Sequence, residues 1–251
     1  MSVAAWACYV INLARQPERW RVFRKLNGDV GLRLERFDAV EGKDVDLAAL
    51  VASGQLSPAA RIAPGMLGAA LSHRALWLRC IESGAPIIVF EDDVRLRRDF
   101  VEKLDAVLAR VPGFDIVSLG FNTDHPVNIR IVADADTMCS FSVKYPSPAQ
   151  MDAFAAQTDW PAAVRLRGQF GSCAYVMSPA GAARYLARCF PLENRMFEFA
   201  TGMRPYRAFS LDGVKNTVYR HTEAFVCWPP LALSPNDQRM SATSGAAAAR
   251  Y

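Results

Sequence analysis

Three carboxylates stand in a row, Glu91, Asp92 and Asp93, directly after the apolar run "IIVF" in "PIIVFEDDVRLRRDF". Like charges at that spacing repel, and burying them is costly unless a cation or hydrogen-bond donors offset them. Side chains alternate along an extended chain, so Glu91 and Asp93 are expected on one side. Two carboxylates so placed suit a hard divalent cation, Mg²⁺ or Mn²⁺, whose shell phosphates and water complete. The same triplet could instead be a solvated strand end paired with Arg95, Arg97 and Arg98. A second group, "YVINLARQPERW", places Asn12, Arg15 and Arg19 after an apolar segment. Two arginines at a helix entry can hold an anion, or simply be solvated on an amphipathic helix. In "GAALSHRALW", His73 and Trp77 are four apart and share a helix flank. Such a pair can line a sugar or base pocket, or belong to the core.

These groups need elements to position them. "WACYVINL" (6–13) reads as a buried strand, and Pro17 opens a helix closed by Gly28, with Trp20, Phe23 and Leu26 expected on one face. A strand is predicted over 32–40, a loop over 53–65 and a helix over 66–81. "IIVF" has no polar alternation, the mark of a strand covered on both faces. Asp99 is the expected cap of the next helix, with Glu102 completing a capping box. A short strand follows at 115–120, and the run 122–165 loses all periodicity. "CAYVMSP" then reads as a strand, a Ser178 cap and a helix from Pro179 to about Arg188. The alternation predicts an α/β fold with a mostly parallel central sheet flanked by helices. In such sheets ligands sit beyond the carboxyl ends of strands, where the acidic triplet falls.

The bulk properties set limits. The chain has 251 residues, 51% of them hydrophobic and 22% charged, enough apolar material for one large core. A formal net charge of +4 permits an anionic ligand or membrane surface without demanding nucleic acid. Six cysteines are scattered, with no C-x-x-C pair and no zinc spacing, which suggests reduced thiols and a reducing compartment. No run reaches the ~20 apolar residues of a spanning helix. A single domain is expected over 1–240, with 241–251 as a flexible tail. The expected location is the cytoplasm, with membrane contact at most peripheral, on the inner membrane.

Taken in order, "YVINLARQPERW", "RFDAVEGKDV", "GMLGAALSHRALW", "IIVFEDDVRLRRDF" and "GQFGSCAYVMSPAGAARYL" resemble glycosyltransferase family 25. That family includes bacterial lipooligosaccharide galactosyltransferases and collagen galactosyltransferases. The resemblance implies a GT-A-like nucleotide-sugar-binding fold and a D-x-D-type motif on Glu91, Asp92 and Asp93. By that analogy Asp93, with Glu91, would hold Mn²⁺ or Mg²⁺ against a diphosphate, and Asp92 would support it or touch the ribose or sugar. The I-N-L-x-R-x-x-x-R block falls on Asn12, Arg15 and Arg19 and implies nucleotide binding. The S-H-R block falls on Ser72, His73 and Arg74, near donor sugar or nucleotide. Gly42 matches as a turn glycine. Ala69 stands where the family commonly has a cysteine, and 122–165 aligns with no block and would be a variable acceptor-side insertion.

The implied activity is transfer of a hexose, galactose or glucose, from a UDP-sugar to a surface glycan such as lipooligosaccharide, metal-dependent and inverting. The acceptor glycan would be free or lipid-linked. Asp212, in "FSLDGVKN", is the first candidate for the base; Glu223 and Glu198 follow, and His221 is a further candidate ligand. Alternatives are an inactive nucleotide- or glycan-binding relative, or a transferase acting on protein or modified nucleic acid. Nucleic acid itself is not an expected partner, since no basic stripe interleaved with aromatics stands out.

Overall fold

The computed structural model describes residues 2–111 and 113–236. The expected tail at 241–251 lies outside the described residues. Along the chain come β1 (Ala7–Asn12), α1 (Pro17–Asn27), β2 (Leu34–Asp38), α2 (Leu47–Ala52), α3 (Pro64–Ser83), β3 (Ile87–Glu91) and β4 (Arg95–Leu96). Next are α4 (Phe100–Leu108), β5 (Ile116–Ser118), β6 (Val127–Val132), β7 (Ala135–Cys139), α5 (Pro148–Ala155) and β8 (Ala162–Gly168). The remainder is β9 (Ala174–Met177), α6 (Pro179–Cys189), β10 (Met196–Phe197), β11 (Tyr206–Arg207), α7 (Leu211–Lys215), β12 (Ala224–Trp228) and β13 (Ala232–Leu233).

Nine strands form one sheet in the order β2-β1-β3-β9-β5-β12-β8-β6-β7. The α/β class and the helix-flanked sheet are as expected. Six of the nine strands run the same way, while β9, β8 and β7 run against them, so the sheet is mixed. The "IIVF" strand shows why both its faces are apolar. Ile87 and Val89 face one core with Leu76 and Trp77 of α3, while Ile88 and Phe90 face another with Phe23 of α1 and Phe100 of α4. Helices cover both faces, as a continuous apolar strand requires.

Several local expectations change. Leu26 is 44% exposed rather than sharing the face of buried Phe23. A residue every three positions drifts about 60° per step around a 3.6-residue helix, so by Leu26 the row has left the core. Asp99 precedes α4 but caps nothing with its side chain. It accepts instead from Arg97 Nε at 2.9 Å and Nη2 at 2.7 Å. Arg97 is fully buried, and a buried guanidinium without a carboxylate would cost more than a missing cap. The run 122–165 is not featureless: it contributes β6, β7, β8 and α5. Strand β6 pairs with β8 and β7 and does alternate, with Val127, Ile129 and Ile131 separated by Asn128 and Arg130, while β7 ends the sheet. Helix α2, within the capping reach of Asp46, was not anticipated.

All six cysteines are unpaired and five are buried. Among the described residues, no helix is long and apolar enough to cross a membrane.

Candidate functional site

The carboxyl ends of β1 and β3 lie side by side, with Ile11 registered against Glu91. Antiparallel β9 brings its own entry segment to the same edge, since Glu91 N–H donates to the Cys173 carbonyl at 2.8 Å. A cleft of about 440 Å³ opens there. Glu91, Asp92, Asp93, Arg15, Arg19 and His73 all line it, together with Asp212 from α7. Residues as distant in sequence as Arg15 and Asp212 thus meet at one end of the sheet.

The three carboxylates have different surroundings. Asp92 is buried and bound from two sides: Asn12 Nδ2 donates to Oδ2 at 2.6 Å, and Arg19 Nε donates to Oδ1 at 2.8 Å. Asn12 is itself fixed, donating to the Gln16 carbonyl and accepting from Arg36 Nε. Asp92 is therefore a pillar between β1, α1 and the triplet. Asp93 differs. Ser234 donates to its Oδ2 at 3.1 Å, but Oδ1 is buried with no hydrogen-bond partner. Burial first, and the neighbouring Glu91 next, push its pKa up to about 7, with Arg19 opposing. Glu91 stands 3.7 Å from His73 Nε2.

Behind the triplet, Tyr175 links two aromatic side chains. Trp77 Nε1 donates to its hydroxyl at 2.9 Å, and the hydroxyl lies 2.9 Å from His73 Nδ1. Tyr175 thus joins the buried indole to His73, whose Nε2 faces Glu91. Trp77 is fully buried against Tyr185 and Phe190. It holds His73 through Tyr175 and does not line the cleft. Ser72 does not line it either: its hydroxyl donates to the Gly68 carbonyl and accepts from Val40 N–H. That anchors the cleft wall at Val40–Gly42. Arg74 packs over the Phe190 ring, away from the cleft. Gly42 is a close-approach glycine rather than only a turn: a Cβ would sit 1.7 Å from the Pro64 carbonyl oxygen.

The arginines divide similarly. Arg15, half exposed in the turn before α1, pairs with Glu41 at 2.8 Å. Arg19, in the first turn of α1, is engaged by Asp92 and lies 3.8 Å from Asp93. On the far wall, Ser172 donates to Asp212 Oδ1, and Lys215 Nζ donates to Ser172 while lying 3.6 Å from the same oxygen. Lys215 is almost wholly buried. Both contacts fall on Oδ1. The remaining base candidates lie elsewhere: Glu223 pairs with Arg165 and Glu198 accepts from Gly202 N–H; His221, the candidate ligand, is exposed, and none of the three lines the cleft.

Sequence reasoning missed Tyr175, Ser172, Lys215 and Ser234, which act on the expected residues from other elements. It also missed Asp124 and His125. The His125 ring packs 4.7 Å from Phe170, with Nδ1 2.9 Å from Asp124. That contact raises the His125 pKa, with Asp212 adding to it. The adjacent "DH" pair was visible, but nothing tied it to the site.

Three basic and five acidic side chains line the cleft. Among the described residues no three His, Cys, Asp or Glu side chains converge on a metal position. Within the cleft, Asp93 Oδ1 is a buried oxygen without a hydrogen-bond partner among the described residues, and Glu91 lines the cleft with it. That donor set fits Mg²⁺ or Mn²⁺, which take one or two carboxylates and fill their shells with phosphate and water.

A family profile described as "Glycosyltransferase family 25 (LPS biosynthesis protein)" matches residues 6–196. The chain is 28% identical to a "Glycosyltransferase 25 family member" of Drosophila pseudoobscura pseudoobscura over 55% of this chain and 24% of that protein. It is 32% identical to a protein of the same description from Anopheles gambiae, over 45% of this chain and 21% of that protein. It is also 29% identical to "Inactive glycosyltransferase 25 family member 3" of Mus musculus, over 47% of this chain and 22% of that protein. The match thus spans under a quarter of the length of these relatives.

Proposed function

The chain belongs to glycosyltransferase family 25, and from that premise we propose that it transfers a hexose from a UDP-sugar to a glycan acceptor in a metal-dependent, inverting reaction. The observation that carries this is Asp93 Oδ1, a buried carboxylate oxygen without a partner in a cleft whose acidic side chains outnumber its basic ones. An anionic diphosphate entering such a cleft needs a cation to offset the repulsion. Asp93 would hold that cation, with Glu91 beside it. When bound, it would neutralise the diphosphate and stabilise charge on the leaving group. Arg15, half exposed at the rim, is available to the nucleotide's phosphates or ribose.

Asp212 is the base. Ser172 and Lys215 fix its Oδ1, and Oδ2 receives the proton of the acceptor hydroxyl. The hydroxyl oxygen bonds to the anomeric carbon as the bond from that carbon to the diphosphate oxygen breaks. The nucleoside diphosphate leaves with that electron pair. The sugar is galactose or glucose, and the acceptor is a surface glycan such as lipooligosaccharide, a choice of acceptor in keeping with a family described by LPS biosynthesis. A cytoplasmic site of action, with peripheral contact to a membrane carrying the acceptor, completes this reading.

A panel of UDP-sugars with manganese, read by UDP release, tests the proposal. Release with UDP-galactose or UDP-glucose, and none without metal, is expected. UDP binding without turnover of any donor would favour a non-catalytic relative, as the mouse protein is named.

A further inference from the structure

Beside the cleft lies a second, shallower depression of about 440 Å³. It adjoins the first through two peptide junctions. Asn122 lines the cleft and Thr123 the depression; Ser234 lines the cleft and Leu233 the depression. One wall is a face of α5 and its exit: Gln150, Ala153, Phe154 and Gln157 recur at i, i+3, i+4 and i+7. The opposite wall is the segment Ser140–Val143 that follows β7. The run 122–165 builds nearly all of it.

Its chemistry is uniform. No Asp, Glu, Lys, Arg or His lines it. The cleft next to it has eight charged side chains. Hydroxyls and amides alternate with apolar surface. Phe141 is partly buried, and its orientation is set by stacking on Phe121 at 5.1 Å. The side chains of Ser140, Ser142 and Gln157 hold no hydrogen bond among the described residues, so their donors and acceptors are open. A ligand bearing hydroxyls and C–H faces but no charge matches such a lining. An anion would find no cation in it, and an ammonium no carboxylate.

We propose that this depression is the acceptor subsite and takes a neutral oligosaccharide, whose reacting hydroxyl reaches the cleft across the Asn122–Thr123 and Leu233–Ser234 junctions. This rests on the glycosyltransfer reading above. It makes the former acceptor-side run a specific surface: α5 and Ser140–Val143 select the acceptor, while the β1 and β3 ends hold the donor.

The test is saturation-transfer NMR on the full chain with UDP and manganese present. The probes are lactose, maltotriose and cellotriose, with 3′-sialyllactose as the charged counterpart. Ala153→Trp fills the depression from an exposed helix position, and Gln157→Ala removes one amide. A neutral saccharide should bind the wild type. Its affinity should fall at least about tenfold in Ala153→Trp and less in Gln157→Ala. UDP affinity should be unchanged in both, which also reports that the variants are folded. Three results would overturn the subsite: saccharide binding indifferent to both variants, preference for the sialylated probe, or UDP binding with no neutral saccharide bound. Failure of the wild type to bind UDP would instead overturn the glycosyltransfer reading on which the subsite depends.

Discussion

The Arg19 guanidinium donates from Nε to Asp92 Oδ1 at 2.8 Å and stops 3.8 Å short of Asp93 Oδ2. Two neighbouring carboxylates thereby acquire different fates. Asp92 is consumed in holding the first helix to the end of the third strand, and Asp93 keeps an oxygen for something else. The family resemblance puts Arg19 on the nucleotide, a role that by itself predicts weaker nucleotide binding when the side chain is removed. The geometry adds a structural role. Arg19→Ala should lower stability by about 1–3 kcal/mol, because buried Asp92 keeps only Asn12 as a partner. Urea denaturation of Arg19→Ala and Arg19→Lys measures this, and the lysine variant should recover part of the loss.

Asp93 should make folding depend on pH. Its folded pKa, raised to about 7 chiefly by burial, lies above the ordinary carboxylate value. The native state therefore takes up a proton that the unfolded chain has already lost. The stabilising contribution is complete below the unfolded pKa and fades as pH rises through about 7. Metal-free Asp93→Asn escapes that loss. Its stability relative to the wild type should climb between pH 4 and 7 and level off above, by roughly 1–2 kcal/mol for a carboxylate that is still partly hydrated. Melting curves across that range check the sign.

Asp212→Asn should separate chemistry from binding. It keeps the shape and the Ser172 contact but cannot accept the acceptor proton. Transfer should fall by about 10²–10⁴-fold with UDP affinity intact. Glu223→Gln, away from the cleft and paired with Arg165, should leave transfer rates within about twofold of the wild type. Steady-state kinetics on both variants distinguishes the base from the candidates that resembled it in sequence.

Gly42→Ala should fail structurally. The added Cβ would meet the Pro64 carbonyl oxygen at 1.7 Å and Gly68 N at 2.7 Å, both backbone atoms of α3. Relief requires moving the cleft wall off the helix, so a loss of at least about 1–3 kcal/mol and weaker nucleotide binding are expected together. Thermal melting with and without UDP measures both.

Which parts were legible in the sequence follows from how each residue is used. "IIVF" announced a strand covered on both faces because every side chain in it is apolar. The strand-end position of Glu91–Asp93 followed directly. Arg15, Arg19, His73 and Asp212 do reach one cleft with them, while Asn12 stands behind it and holds Asp92. The division between Asp92 and Asp93 was not legible, since it depends on Arg19 and Ser234 arriving from remote elements. Trp77 suits a pocket or a core by type, and the family block puts Ser72 near the donor; tertiary packing uses them to hold His73 and Val40. Strands β6 and β8 escaped notice although Val127, Ile129 and Ile131, and Val164 and Leu166, alternate with polar residues; only β7, at the sheet edge, lacks that pattern.

The central claim is that Asp93 holds a divalent cation that in turn holds a diphosphate. Titration calorimetry of UDP into the wild type and Asp93→Ala, each with and without manganese at pH 8, tests it most directly. Wild-type affinity should rise at least about tenfold with the metal, and the variant should show no metal response while melting cooperatively. Equal enhancement by manganese in Asp93→Ala would contradict the account.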